Sequence, residues 1–396
     1  MLKVGRRAPD APTVTITQGN QGTAPAAAAA GHVAAPAEAL IAPYLRALVD
    51  LRGSDLHCKA GSPPRIRIDG RLRALQAPAL TADVTERMLE QILRPDLVEE
   101  FARTHEADFA YSLPHGAGRF RVNAFRQRGS VGLVLRRVAA QAVPLAGLGV
   151  PPVIEQLALE HRGLLLVTGP TGSGKTTTLA GMIDHINTVR ESHIVTIEDP
   201  IEVLHTDNRS MISQREVRLD TADFTTALRA AMRQDPDVIL VGEMRDQETV
   251  KAALSAAETG HFVMSTLHTI DAAETIARII DFFPPHEQKQ VRLALAGSLR
   301  GIVCQRLVPR ADGAGRCVVM EVCVNTGRIA DAISDPDKTS QITDLIREGQ
   351  YYRMQTFDQH LVALVRDGVV TLEDAQDAAS SPHDLAVELR RLGLVA

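Results

Sequence analysis

The sequence predicts an α/β protein in two parts: a mixed α and β first domain, then a parallel sheet wrapped by helices that runs into a helical C-terminal region. Three observations predict it. Residues 169–176 read Gly-Pro-Thr-Gly-Ser-Gly-Lys-Thr, a complete phosphate-binding loop set between an apolar run and a helical run. Short apolar runs then alternate with helical segments as far as residue 266, as crossovers between parallel strands require. Before residue 138, charged and apolar residues alternate between turn signals, as in strands of a half-solvated sheet.

The elements follow in order. Residues 1–38 are rich in Pro, Thr, Gln and Gly and include Ala24-Pro-Ala-Ala-Ala-Ala-Ala30, so a disordered low-complexity tail is expected there. Leu40–Arg52 carries Leu40, Ile41, Tyr44, Leu45, Leu48 and Val49 at helical spacing. Ile66 and Ile68 alternate with Arg65 and Arg67, and Asp69-Gly70 signals a hairpin turn. Thr81–Phe101 reads as an amphipathic helical region, and Ala107–Leu113 and Gly118–Val138 as strands. The first domain is thus expected over 39–138. Residues 139–150, rich in Ala, Pro and Gly, read as a linker. The core domain is expected over 151–330, with strands at Leu164–Val167, Ile194–Ile197, Val238–Val241 and Phe262–Thr266. The region 331–396 reads as helical, with clear segments at Thr356–Arg366 and Leu372–Ala379.

Composition narrows the function. The 396 residues have a net charge of −5, no Trp and 3% aromatic residues, which speaks against nucleic acid as a partner. Four cysteines form no Cys-x-x-Cys pair, so neither a zinc module nor a disulfide framework is expected. No apolar run approaches the roughly 18 residues of a membrane span. Arg6-Arg7 is followed by a polar segment, not an apolar one, so a signal peptide is rejected. A cytoplasmic protein that does not insert into a membrane is expected.

The loop states the chemistry. Its glycines let backbone N–H groups turn toward a phosphate, and the helix that follows adds positive potential. Gly169, Pro170, Thr171, Gly172, Ser173, Gly174, Lys175, Thr176 and Thr177 are the expected nucleotide-binding residues. Lys175 is suited to the β- and γ-phosphates and the Thr176 hydroxyl to Mg²⁺. Glu243, delivered by the apolar run Val238–Val241, is a second candidate for Mg²⁺, directly or through water, or for polarising the attacking water. Glu198, Asp199 and Glu202 follow another strand run and fit either a solvated turn or a site. His261 and His268 flank Phe262–Leu267, where structural and catalytic roles are both open.

These blocks together resemble the secretion ATPase superfamily, the motors of type II secretion, type IV pili and conjugation. The match runs from about Gly53 to Ala396. It is carried by Gly53-Ser-Asp-Leu-His57, Arg119-Phe-Arg-Val-Asn-Ala-Phe125, the phosphate loop, Glu198-Asp-Pro-Ile-Glu202, Gln214-Arg-Glu-Val217, Asp235–Asp246, Ala257-Glu-Thr-Gly-His261, Thr266-Leu-His-Thr269 and Met354-Gln-Thr-Phe-Asp358. Within the superfamily it resembles the PilT family of pilus retraction ATPases and, at Phe357–Leu361, the PilU accessory motors. The resemblance implies a PAS-like N-domain joined to a RecA-like P-loop ATPase domain with a helical C-terminal region. It implies a homohexamer that hydrolyses ATP with Mg²⁺ and works on an inner-membrane platform protein from the cytoplasmic face, with a second retraction ATPase as a candidate partner. Glu202 then matches the catalytic glutamate, Glu243 the second-motif glutamate and His268 the histidine near the γ-phosphate. Arg121 and Arg136 match N-domain arginines that reach nucleotide, and Arg126 and Arg128 lie on the same hairpin. A pilus extension or type II secretion ATPase, and a DNA-translocating P-loop ATPase, stand as alternatives.

Overall fold

The computed structural model describes residues 38–68 and 70–394. The expected tail lies outside the described residues except for Glu38, and so does Asp69 of the expected turn. The chain forms two compact units that divide between Ala140 and Gln141.

The first unit is a six-stranded sheet of β1 (Asp55–Lys59), β2 (Arg65–Ile68), β3 (Arg71–Ala74), β4 (Glu106–Ser112), β5 (Arg119–Gln127) and β6 (Ser130–Arg137), in the order β3-β2-β1-β6-β5-β4. Every neighbouring pair is antiparallel. Period-2 alternation sorts its two faces. Leu56, Ile66, Phe120, Val122, Leu133 and Leu135 bury in one core with Leu45, Leu48, Met88 and Leu89 from the helices Ala42–Asp50 and Ala82–Ile92. Each such side chain contributes about 1.5–3 kcal/mol on burial, so a one-residue slip that turned them outward would be heavily penalised. The same register sets Arg67, Asp55, Arg136 and Arg121 opposite one another in a row across β2, β1, β6 and β5. The expected helical region Thr81–Phe101 is divided. One helix spans Ala82–Ile92, a 3₁₀ turn covers Pro95–Leu97, and a second helix spans Val98–Thr104. Pro95 has no N–H to donate and its ring disfavours helical backbone just before it, so the first helix stops short of it.

The second unit is a seven-stranded sheet. Its strands are β7 (Gly163–Thr168), β8 (His193–Glu198), β9 (Met211–Glu216), β10 (Val238–Val241), β11 (Phe262–Leu267), β12 (Leu299–Pro309) and β13 (Arg316–Val324), in the order β13-β12-β7-β11-β10-β8-β9. All pairs are parallel except β12 with β13. β7, β10 and β11 are buried along their whole length, because helices cover both faces. The four expected strands are present, and β9, β12 and β13 join them. β9 reads Met-Ile-Ser-Gln-Arg-Glu, too polar for a buried run, because it is an edge strand. β12 begins at Leu299, directly after the helix Pro285–Ser298, so no turn residue marks the change.

From Gln141 onward the segment expected as a linker belongs to the second unit. Leu145 is buried, and Gly181 of the helix Lys175–Val189 makes room for it and its neighbours: a Cβ at Gly181 would stand 3.0 Å from the Val143 carbonyl.

The C-terminal helices close the sheet. Val322 N–H donates to the Gln355 carbonyl at 2.8 Å, and Met320 N–H donates to His360 Nδ1 at 2.9 Å. The outer edge of β13 is thereby paired, which removes a free strand edge. Phe357 buries beneath the Arg306 guanidinium, 4.0 Å from the ring centroid. Thr356 and Gln359 form a reciprocal capping box at the start of the helix Phe357–Arg366.

Burial pushes the His360 imidazole down from 6.5 to about 4. The fold therefore prefers neutral His360, and its contribution is present above the unfolded value and lost as the pH falls toward 4. Wild-type stability is expected to fall by up to about 1.4 kcal/mol per pH unit over that window. Denaturant titrations at several pH values should show a shallower fall for His360→Gln. Equal slopes for the two proteins would remove His360 from the account.

Candidate active site

β7 ends at Thr168, and the helix Lys175–Val189 starts seven residues later. Between them Gly169 and Gly174 take φ of 142° and 91°, backbone that a side chain would strain. The 15-residue helix directs its free N–H groups at the loop. The Lys175 ammonium folds over the loop and donates to the carbonyls of Gly169 at 2.7 Å and Pro170 at 3.2 Å. Burial pushes its pKa down, and the fields of Glu243 and then Glu202 pull it back up. Both expected carboxylates are thus brought within electrostatic reach of the loop lysine. Thr176 is half-buried on the first turn of the helix and Thr177 is exposed.

Glu243 is placed by the strands beside it. Val241, the last residue of β10, pairs with Ile197 of β8 and Ser265 of β11. Gly242 N–H then donates to the Ile197 carbonyl at 2.8 Å, Met244 N–H to the Thr266 carbonyl at 3.1 Å, and the Thr266 hydroxyl to the Gly242 carbonyl at 2.6 Å. The carboxylate that emerges lies 3.2 Å from His268 Nε2 and accepts from Arg245 Nε at 2.7 Å. Arg245 in turn reaches Asp199 at 3.6 Å. Glu243 and His268 therefore meet, although 24 residues separate Gly242 from Thr266 in the contact that aligns them. His261 lies at the opposite end of β11 from the loop. Its Nδ1 sits 3.0 Å from the Ala256 carbonyl, and its own carbonyl accepts from Gly163 N–H, a structural role.

Glu202 is exposed on the segment after β8. Two side chains of β9 hold that segment. Gln214 donates to the Val203 carbonyl at 2.9 Å and accepts from His205 N–H at 2.8 Å, and Glu216 accepts from Ile201 N–H at 3.2 Å. Glu198 is buried, which excludes the solvated-turn reading for it. Burial pushes its carboxyl pKa up, against hydrogen bonds from the Thr196 hydroxyl at 2.7 Å and Gln214 at 3.2 Å.

Arg136 is largely exposed and donates to Asp55 at 2.9 Å. Burial works against the Asp55 carboxylate, but the Ser54 hydroxyl and Arg136 outweigh it and hold its pKa below the usual range. Arg121 is half-exposed and 3.6 Å from Asp108. Arg126 is spent on structure, forked onto Glu86 and 5.5 Å from the Phe101 ring centroid. Arg128 sits in the β5–β6 turn at φ 49°.

Among the described residues no group of three or more His, Cys, Asp or Glu could hold a metal ion. The oxygen donors beside the loop, the Thr176 hydroxyl and the Glu243 carboxylate, are of the kind Mg²⁺ takes, since it keeps waters and phosphate oxygens and needs only one or two protein groups. A cleft of about 560 Å³ opens beside the loop, lined by Pro170, Ser173, Arg306, Arg316, Asp374 and Asp377 among others. The helical end, through Asp374 and Asp377, thus contributes to the surroundings of the loop. Gln214, Glu216, Arg245 and Gln305 carry contacts that the sequence reading did not assign. For Gln214, Glu216 and Gln305, polar residues inside strand runs are the available signal.

A phosphate loop at the end of a parallel strand, with a lysine, a carboxylate and a histidine converging on it, defines a P-loop nucleotide hydrolase. The comparisons narrow the class. The family model described as "Type II/IV secretion system protein" matches residues 31–314, and the chain belongs to that family. It is an ATPase of the pilus retraction kind within it. The chain is 44% identical over 331 residues to the type IV pilus retraction ATPase PilT of Pseudomonas aeruginosa, covering 84% of this chain and 95% of that one. It is 42% identical to the type IV pilus ATPase PilU of the same organism, covering 87% and 90%. The crystal structure of the pilus retraction motor PilT with bound ADP superposes with a TM-score of 0.81 at 44% identity, covering 88% of this chain and 99% of that one.

Lys175→Ala is expected to weaken Mg-ADP binding tenfold or more, because the ammonium is the loop's one mobile cation for phosphate. Glu243→Gln should leave that affinity within a few-fold. Isothermal titration of both variants checks the contrast, and equal losses would contradict the division of roles.

Proposed function

We propose that this ATPase powers type IV pilus retraction as a homohexamer, working at the cytoplasmic face on an inner-membrane platform protein, with a second retraction ATPase as a further partner. The identity to PilT across 84% of this chain and 95% of that one is the observation that carries this reading. The absence, among the described residues, of any helix long and apolar enough to cross a membrane supports contact through a protein face.

In the hydrolysis step, backbone N–H groups of Gly172, Gly174 and Lys175, with the Lys175 ammonium, hold the phosphates. Glu202 takes the proton of the water that attacks the γ-phosphoryl group, and its exposure suits it to meet that water. Glu243 fixes the attack geometry, its carboxylate oriented by His268 at one oxygen and Arg245 at the other. Thr176 and Glu243 are suited to Mg²⁺, which would neutralise charge on the phosphate oxygens when bound. Arg136 and Arg121 are assigned to the transferring phosphoryl group by the family resemblance. Their partial exposure leaves both guanidinium groups able to exchange a carboxylate for a phosphate.

Two outcomes test this. Glu202→Ala should bind ATP and hydrolyse it at least tenfold more slowly, and neutralising Arg136 should cost turnover by a similar factor without loss of folding. Wild-type turnover in Glu202→Ala would remove it from the mechanism. Cells lacking the gene should carry excess surface pili and fail to twitch. Bald cells would instead support the extension motor, and DNA-stimulated hydrolysis by the purified protein would support the translocase.

A further inference from the structure

The phosphate loop owes its shape to a residue far along the chain. β12 pairs with β7 up to Cys304 opposite Thr168, the last residue before the loop. β12 then runs on to Pro309, so its next residue, Gln305, lies alongside the loop itself. Gln305 is 1% exposed, and its amide donates to the Ser173 carbonyl at 2.7 Å in a buried contact. A Cβ on Gly169 would stand 2.4 Å from the Gln305 carbonyl, and one on Gly174 would stand 3.2 Å from the Gln305 amide nitrogen. The glycines that open and close the loop's turn are therefore both packed on this one residue. The amide carbonyl Oε1 of Gln305 is buried without a hydrogen-bond partner among the described residues. Burying that oxygen unpaired costs free energy, so the side chain is kept in place for its donor. The strand is fixed on its other side too: the neighbouring Arg306 donates to the Ala378 carbonyl at 2.7 Å.

We propose that Gln305 is a positioning residue for nucleotide binding: it holds the Ser173 carbonyl away from the phosphate side of the loop and so keeps the loop's N–H groups turned toward the anion. It touches no reacting atom. The inference rests on the loop as the nucleotide site and on nothing about pili, so failure of the retraction reading leaves it standing.

The consequence is a specific kinetic pattern. Removing the donor leaves the Ser173 carbonyl buried and unpaired, and the loop relaxes toward water until phosphate draws it back. The loop grips phosphate in ground and transition states alike, so the loss falls on binding. In the full chain, Gln305→Leu should raise the Kd for Mg-ADP and the KM for ATP by roughly tenfold, with kcat within about twofold of wild type. Gln305→Glu, equal in size but placing an oxygen against the Ser173 carbonyl, should bind more weakly still. A folded Gln305→Leu protein, judged by an unchanged circular dichroism spectrum, that binds Mg-ADP within twofold of wild type would overturn the proposal. A fall in kcat at unchanged KM would overturn it as well. If the variants do not fold, hydrogen exchange on the wild-type protein decides. Mg-ADP should slow exchange in a peptide covering 299–309, and unchanged exchange there alongside protection of 169–176 would refute the link.

Discussion

Parallel pairing of β8, β10, β11 and β7 brings the C-terminal ends of four strands to one level, and the site is what leaves those ends. Ile197, Val241 and Ser265 stand opposite one another, and Leu267 stands opposite Thr168. The segments that follow carry Glu202, Glu243, His268 and the phosphate loop. A parallel sheet needs a crossover after each strand, so every strand end points the same way and the segments that follow open on the same side. Shifting β10 by one residue would reverse the faces of its whole buried run and carry Glu243 away from His268.

The level ends would be of little use if the loops after them were free. Each is tied back by a neighbour. The Gly242–Thr266 hydroxyl bond and the Met244 N–H bond hold the segment of Glu243. Gln214 and Glu216 hold that of Glu202. Gln305 holds the phosphate loop. The polar side chains responsible are buried or half-buried, where an unmade hydrogen bond is expensive and a made one restricts geometry. Rigidity at the edge of the sheet thus comes from amides and carboxylates of strands that do no chemistry themselves.

The C-terminal helices have two structural duties. Gln355 and His360 pair the open edge of β13, and Phe357 with Leu361 enters the core of the second unit. Arg306, one residue from Gln305, bonds the helix Leu372–Ala378, whose Asp374 and Asp377 face the cleft beside the loop. A region without a catalytic motif is nonetheless continuous with the support of the nucleotide site.

The sequence by itself determined the chemistry and the class of fold. A phosphate loop is a contiguous stretch of backbone, so eight residues specify it, and fully apolar runs such as Val238–Val241 name buried strands because only burial on both faces makes them stable. It also made Glu243 a candidate, since a carboxylate two residues past such a run lies at the C-terminal end of a buried strand. Only the tertiary structure decided which polar residues meet. The meeting of Glu243 with His268, the clamps at Gln214 and Glu216, and the support of the loop by Gln305 all depend on strand order and register. So does the choice between two histidines: His261 and His268 bracket the same strand, and only the direction of β11 beside β7 puts one at the loop and the other at the far end. Pair contacts between distant segments leave no period in either segment, and edge strands such as β9 carry polar side chains for that purpose, which hides them from a reading based on apolar runs.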